Sequence, residues 1–145
     1  MIALLQRVTS ASVVVEGSQI AAINQGLLVF VAVHRDDEKS DIARLAERIL
    51  TYRVFPDAAD RMNHSLKDTG LGLLLVPQFT LAADTKKGTR ASFTRAAAPE
   101  VGEDYFERLV ETCKQGLETV ETGRFGANMQ VSLTNDGPVT FWLES

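Results

Sequence analysis

The chain has 145 residues, of which 45% are hydrophobic and 23% charged, and its net charge is −4. This composition is typical of one globular domain and excludes a disordered or membrane-embedded chain. The acidic balance argues against non-specific coating of nucleic acid but leaves room for a local basic patch. Cys113 is the only cysteine, which excludes an intrachain disulfide, and no signal peptide opens the sequence. We therefore expect a cytoplasmic protein.

Apolar patterning predicts strands in the first third of the chain. Residues 1–8 and 11–16 predict two strands, the second with Val13 and Val15 alternating against Ser12 and Val14, and a third follows at residues 19–23. Residues 27–33 form an uninterrupted apolar run, which is typical of a strand buried on both faces.

Apolar residues at helical spacing predict two helices. The first starts at Ser40 or Asp41, either of which can cap it, and runs to about Val54. The second begins at Pro99, because proline is favoured in the first turn of a helix. The residues expected to face inward are Ile42, Leu45, Ile49 and Tyr52 in the first helix, and Tyr105, Phe106, Leu109, Val110 and Cys113 in the second.

The rest of the chain predicts a polar loop and three more strands. Residues 56–70 are rich in turn-forming types, and residues 71–79 form another buried apolar run. Near the C-terminus, residues 129–134 and 139–144 both alternate apolar and polar side chains. The Asn-Asp-Gly-Pro sequence between them predicts a hairpin turn, although a Gly-Pro pair can also direct backbone carbonyls unusually.

Strands that outnumber two separated helices indicate the α+β class. We expect a single domain over residues 1–145, built on a curved, barrel-like mixed β-sheet with two main helices. A dinucleotide-binding fold is disfavoured, because no Gly-x-Gly-x-x-Gly motif follows a strand.

Few side chains offer reactive chemistry. His34 and His64 are the only histidines, and no Cys/His cluster accompanies them, so we expect neither a metal site nor a cofactor. Cys113 falls on the apolar stripe of the second helix, where an inert core thiol is expected.

The end of the strand at residues 71–79 is the better candidate. Gln78 and Thr80 place polar groups beside an apolar wall, and the following segment, residues 84–95, has four basic residues against one acid. Thr80 has no histidine nearby in sequence to act as its base. Backbone N–H groups around Phe79 and Thr80 could instead hold an oxyanion, a site suited to an activated ester. An ordinary strand terminus is the alternative.

Two motifs resemble the signatures of the bacterial D-aminoacyl-tRNA deacylase family. One is Pro-Gln-Phe-Thr-Leu-Ala-Ala-Asp-Thr at residues 77–85, and the other is Asn-Asp-Gly-Pro-Val-Thr at residues 135–140. The resemblance extends from Met1 to about Leu143. Supporting stretches are residues 6–8, 62–63, 122–125 and 129–133.

The resemblance implies a homodimer that hydrolyses D-aminoacyl-tRNA, and also glycyl-tRNA, at the 3′ end. In this family the Gly137–Pro138 bond would be cis, and the motif would enter the partner subunit's site and exclude L-aminoacyl groups through its carbonyls. Gln78, Phe79 and Thr80 would lie at the scissile ester, with Thr80 either a nucleophile or a positioning residue. Arg7 would brace the Gly-Pro motif and, with Pro77, contribute to substrate binding. From their charge alone, and not from the resemblance, we also expect Lys86, Lys87 and Arg90 to bind the phosphates of the acceptor end.

One position departs from the family pattern. Many members have serine where this chain has Pro77, and proline provides neither an N–H nor a hydroxyl. Editing of small L-aminoacyl-tRNA with relaxed chirality is therefore one alternative function. A noncatalytic tRNA- or DNA-binding module that uses the basic loop is the other.

Overall fold

Eight strands and three α-helices make up the fold of the computed structural model, which describes residues 1–145. The predicted α+β class, with a barrel-like mixed sheet and two main helices, is confirmed. The strands are β1 (Ile2–Val15), β2 (Ser18–Ile23), β3 (Gly26–Ala32), β4 (Phe55–Pro56), β5 (Met62–His64), β6 (Gly72–Pro77), β7 (Val120–Thr122) and β8 (Met129–Glu144). The helices are α1 (Lys39–Thr51), α2 (Leu66–Thr69) and α3 (Pro99–Gly116), and Phe79–Ala82 forms a 3-10 helix.

Strand β1 organises the main sheet. Its first half pairs with β3 and its second half with β2, while β8 follows its other edge along the whole length. All three pairings are antiparallel, whereas β3, β6 and β7 run parallel. Irregular register around Val8 bends β1, and β2 comes close to β6 and β7, so the sheet is nearly closed.

Two predictions of separate strands were wrong at this sheet. Residues 1–8 and 11–16 belong to the one strand β1, because the irregularity near Thr9 is a bulge rather than a break. Residues 129–134 and 139–144 likewise belong to β8. They do not pair with each other as a hairpin, because both pair with β1.

Helices α1 and α3 cover one face of the sheet. Their buried residues join those of β1, β3 and β6 in the larger of the hydrophobic clusters, and Cys113 lies within it. Helix α1 begins at Lys39, since Glu38 and Asp41 form a reciprocal capping box. It ends at Thr51 rather than near Val54, because the N–H of Val54 donates to the carbonyl of His64.

The remaining elements refine the prediction. The polar loop expected over residues 56–70 contains most of the β4–β5 hairpin and the one-turn helix α2. The buried strand expected over residues 71–79 is β6, which ends at Pro77 because the chain turns into the 3-10 helix. No helix is both long and apolar enough to cross a membrane.

Candidate active site

The 3-10 helix after β6 presents unused backbone donors. Its first internal bond runs from the N–H of Leu81 to the carbonyl of Gln78, and the N–H of Gln78 donates to Val31 of β3 at 2.7 Å. The N–H groups of Phe79 and Thr80 consequently have no acceptor within the helix. Two adjacent donors at the end of a rigid strand can stabilise an oxyanion.

Side chains at this helix are arranged around Thr80. The amide of Gln78 donates a hydrogen bond to Oγ1 of Thr80, so the threonine oxygen serves as an acceptor and its proton remains free to be donated. No hydrogen bond joins Thr80 to a histidine or a carboxylate, and the hydroxyl therefore has no base to activate it.

An apolar cavity of about 460 Å³ lies beside these donors. It is bordered by the ends of β3 and β6, the first turns of α3 and the segment after β7. Its size and apolar lining suit the faces of a flat ring system, with polar groups at the ring edges left to the open side. The ring-bearing and strand-end residues around it are Pro77, Gln78, Phe79, Pro99, Phe106 and Phe125.

The Gly-Pro motif is a bulge in β8 rather than a turn. Asn135 pairs with Val8 and Thr140 with Gln6, so residues 136–139 lie opposite the single residue Arg7. The side chain of Asn135 spans this bulge: its Oδ1 accepts from the N–H of Val139 at 3.0 Å and its Nδ2 donates to Thr140 at 2.9 Å. Gly137 and Pro138 are exposed at its tip, and the bond between them is cis.

Arg7 connects this bulge to the rest of the molecule. Its Nε donates to the carbonyl of Asp136 at 3.1 Å, and its Nη1 donates to the carbonyl of Val54 at 2.7 Å. The Arg7 side chain is only 14% exposed, whereas that of Asp136 is 46% exposed. The nearly buried guanidinium thus holds the bulge through the Asp136 carbonyl and connects it to Val54, and its Nε also lies 3.5 Å from Oδ2 of Asp136.

The two motifs lie far apart within one chain. Pro77 pairs with Val31, Val31 with Ala3, and Ala3 with Leu143, whereas the bulge is at the level of Arg7. The separation is therefore about four residues along the strands and three strands across the sheet. At roughly 3.3 Å per residue and 4.8 Å per strand, the bulge and the 3-10 helix are about 20 Å apart.

The other predicted residues lie in different surroundings. Lys86, Lys87 and Arg90 are exposed on the loop that precedes α3. His64 is an exposed residue of β5, while His34 follows β3 and pairs through its backbone with Ala96. No group of three or more His, Cys, Asp or Glu side chains is gathered closely enough to hold a metal ion.

Cys113 is buried among apolar residues, as predicted for a core thiol. Burial raises the pKa of the Cys113 thiol to about 12, because the thiolate would lose its hydration.

Sequence patterns did not reveal some of the contacts that form the site. The backbone carbonyl of Val54 and the side chain of Asn135 both support the bulge, and Phe106 and Phe125 border the cavity. Asn135 carried a usable signal, since an asparagine at the start of an irregular segment often bonds to nearby backbone. Phe125 belongs to a stretch that supports the family resemblance, but its approach to the cavity depends on tertiary packing and has no local signal.

Comparisons with known proteins match nearly the whole chain, a span that includes both motifs. The family model described as D-Tyr-tRNA(Tyr) deacylase matches residues 4–144. The chain belongs to the D-Tyr-tRNA(Tyr) deacylase family. It is therefore grouped with hydrolases that act on the ester bond of D-aminoacyl-tRNA, as the resemblance implied.

Curated relatives of this deacylase family cover the chain almost completely. D-aminoacyl-tRNA deacylase of Alkalilimnicola ehrlichii is 59% identical over 145 residues, covering 100% of this chain and 97% of the relative. That of Thioalkalivibrio sulfidiphilus is 60% identical over 144 residues, covering 99% and 97%.

Solved structures share the deacylase-family fold. The c-Myc DNA unwinding element binding protein has a TM-score of 0.96 at 38% identity, covering 100% of this chain and 99% of that one. A probable eukaryotic D-amino acid tRNA deacylase has a TM-score of 0.88, with 99% and 98% covered. Its 17% identity makes this second likeness one of fold alone.

Proposed function

We propose that this protein hydrolyses the ester of D-aminoacyl-tRNA in a site built mainly from backbone groups. The observation that carries the proposal is the pair of unused N–H groups at Phe79 and Thr80 beside the apolar cavity. The terminal adenosine would occupy the cavity, with Phe79 and Pro77 along its wall. The two N–H groups would then stabilise the oxyanion that forms when the ester carbonyl is attacked.

Thr80 acts in this proposal as a positioning residue. Its oxygen already accepts a hydrogen bond from Gln78 and has no base, which makes it a poor nucleophile. The attacking group would be a water molecule, which the 2′-hydroxyl of the terminal adenosine can orient because it lies next to the scissile ester. Water adds to the ester carbonyl, and the 3′-oxygen leaves as a hydroxyl after taking a proton from that water. Thr80 can donate its free proton to the substrate and help to orient it.

Gly137 and Pro138 select the chirality of the substrate. Their carbonyls would accept hydrogen bonds from the α-amino group and leave no room for an L side chain. Glycine carries no side chain to reject, so glycyl-tRNA is also a substrate. Arg7 supports this selection by fixing the backbone at Asp136.

We call Gly137 and Pro138, in this selecting role, the gate. For one active site, the gate must come from a second copy of the chain. The bulge and the 3-10 helix of one subunit are about 20 Å apart, too far to contact one aminoacyl group. An apolar row across the open face of the sheet offers a surface for pairing: Leu4 lies opposite both Phe30 and Trp142, and Trp142 is 49% exposed. Two-fold pairing would place each bulge in the other subunit's site.

The first experiment tests substrate and chirality. Purified protein treated with chelator should release D-tyrosine from D-tyrosyl-tRNA and leave L-tyrosyl-tRNA intact, measured with radiolabelled ester. Equal cleavage of both enantiomers would contradict the gate. Cleavage of neither enantiomer would contradict the proposed hydrolase activity.

A pair of variants isolates the backbone donors. Phe79→Ala removes the ring but keeps the N–H, whereas Phe79→Pro removes both. Proline suits this position because Phe79 opens the helix and Gln78 before it has a ψ of 78°, outside the helical range. We expect Phe79→Pro to lower kcat about 100-fold below Phe79→Ala, the typical effect of losing one oxyanion donor. Equal kcat values for Phe79→Pro and Phe79→Ala would rule out the Phe79 N–H as an oxyanion donor.

Mixed dimers test whether the gate acts across subunits. Phe79→Pro and Gly137→Ala homodimers should both be weakly active. When they are unfolded together and refolded 1:1, half of the dimers should be mixed, and each mixed dimer should contain one intact site. Activity should then recover to about one quarter of wild type, whereas a gate acting within its own subunit would give no recovery.

Two alternative functions can each be tested by a specific assay. Pro77 lines the cavity, and its lack of an N–H favours relaxed chirality, which release of L-alanine from L-alanyl-tRNA would reveal. The relative described as a DNA unwinding element binding protein favours a nucleic-acid-binding module. Steeply salt-dependent duplex binding, with charged tRNA left intact, would support that second reading.

A further inference from the structure

An exposed pair of aromatic rings connects the cavity to the basic loop, residues 84–95, because Phe79 borders the cavity and Phe93 belongs to the loop. Phe79 and Phe93 have ring centroids 5.1 Å apart and an interplanar angle of 52°. They are 57% and 45% exposed, and they are two of only five large hydrophobic residues that are so exposed. Two such rings in contact form a continuous apolar surface in water rather than scattered exposure.

The cations of the loop that contains Phe93 form no ion pairs. None of Lys86, Lys87, Arg90 and Arg95 has a salt-bridge partner, although six ion pairs form elsewhere. The loop is closed by reciprocal backbone bonds between Asp84 and Ser92, at 2.8 and 3.1 Å. Phe93 directly follows this closure, so the ring and the cations belong to one ordered segment.

Exposed aromatic rings beside free cations are the components that bind unpaired nucleic acid. Bases of any sequence stack on aromatic faces, while cations contact the phosphates between them. A docking protein would also meet the apolar rings, but the excess of positive charge favours a polyanion. The pair also adjoins the cavity, because Phe79 borders it.

We propose that Phe93, with Phe79, forms a stacking platform for the unpaired nucleotide that precedes the terminal adenosine. This inference rests on the proposed function, because the adenosine must occupy the cavity for its neighbour to reach Phe93. The phosphates on either side of the stacked nucleotide face Lys86, Lys87 and Arg90. The platform thus distinguishes a tRNA 3′ end from a free aminoacyl-nucleoside.

Two esters of different length test the platform. Phe93→Leu keeps an apolar side chain but loses the flat ring, and should raise KM for D-tyrosyl-tRNA about tenfold, within the range for one lost stacked base. KM for D-tyrosyl-adenosine, which has no preceding nucleotide, should change far less. Phe93→Tyr should restore the tRNA value, and Val101→Ala, at another exposed apolar residue, is the control. Equal changes for both esters, or none for the tRNA, would overturn the platform.

Binding of uncharged tRNA separates this inference from the catalytic proposal. Phe93→Leu should weaken binding of tRNA with an intact 3′ end but not of tRNA lacking its unpaired 3′ nucleotides. We expect this difference in tRNA binding even if neither ester is cleaved. In that case the proposed hydrolysis would be refuted and the stacking platform would stand. Sedimentation of the variant completes the test, since dissociation of its dimer would assign Phe93 to a protein interface and overturn the platform.

Charge variants test the phosphate contacts. Lys87→Ala should reduce the slope of log affinity against log salt by about 0.7, the value for one phosphate of a single strand. Lys114→Ala makes the same change in net charge on α3, 15 residues or about 22 Å beyond Pro99, and should leave the slope unaltered. An equal reduction in both variants would show that only the overall charge matters and would refute the assigned contact.

Discussion

Gly137→Ala is the substitution that most directly tests the proposed role of the Gly-Pro bulge in selecting chirality. Gly137 has a φ of +132°, a backbone conformation that L residues rarely adopt. A Cβ placed there would lie 2.7 Å from Cγ2 of Val139, 3.1 Å from its N and 3.2 Å from Nη2 of Arg7. The methyl group therefore forces the bulge or its Arg7 support to move.

The expected magnitude follows from these two effects. Backbone strain at such a residue costs about 1–3 kcal/mol, which lowers Tm by roughly 2–10 °C in a domain of this size. Displacement of a positioning group by about 1 Å can lower the rate about 100-fold. We therefore expect kcat/KM for D-tyrosyl-tRNA to fall by about two orders of magnitude while the protein remains folded at 25 °C.

Gly17→Ala is the matched control. Gly17 also has a positive φ, +78°, but nothing lies within 4 Å of an added Cβ, and the residue is in the β1–β2 turn. It should share part of the loss in Tm and keep wild-type kcat/KM. Single-turnover deacylation and thermal unfolding of both variants provide the comparison. Unchanged D-ester turnover and L-ester rejection in Gly137→Ala would refute the assignment of this bulge to the site.

Three further predictions concern single side chains. Thr80→Ala should lower kcat less than tenfold in single-turnover assays, whereas loss of about 10⁴-fold or more would indicate a nucleophile. Hydrogen bonds from the Arg61 N–H and the Asn63 amide lower the pKa of Asp57, so they stabilise the fold above pH 3.8 and are lost as the pH falls below it. Asp57→Asn should consequently lower Tm at pH 7, and its Tm should converge with that of wild type in acid. Because the pKa of Cys113 is about 12, only about one thiol in 10⁴ is ionised at pH 8; iodoacetamide should label the unfolded but not the native protein, as measured by mass spectrometry.

Local patterns identified the two main helices and the buried strands β3 and β6, but not the short elements or the pairing of the strands. The apolar stripe at Ile42, Leu45 and Ile49 identified α1 correctly, because helix periodicity depends only on neighbours in sequence. The Asn-Asp-Gly-Pro segment was misread as a hairpin turn, because alternation on both sides is the same whether two strands pair with each other or with a third. Only the register against β1 distinguishes the two arrangements, and this register is a long-range property.

In the site as well, the sequence identified some groups, whereas others were found only in the folded structure. Arg7 was assigned to the Gly-Pro motif from the family resemblance, and its hydrogen bond to Asp136 agrees with that role. The second anchor, the carbonyl of Val54, has no side-chain signature, since any residue could supply it. Backbone contacts of this kind become visible only when the fold brings the segments together.

If backbone carbonyls select the substrate as proposed, few substitutions can change the selectivity directly. Substitution at an exposed bulge alters side chains but leaves carbonyl positions largely intact, unless the added atoms collide as they do at Gly137. The carbonyl positions depend instead on the groups that hold the bulge, Arg7 from one side and Asn135 from within. Selectivity between D and L esters should therefore be more sensitive to these two buried or half-buried side chains than to the exposed residues that surround the substrate.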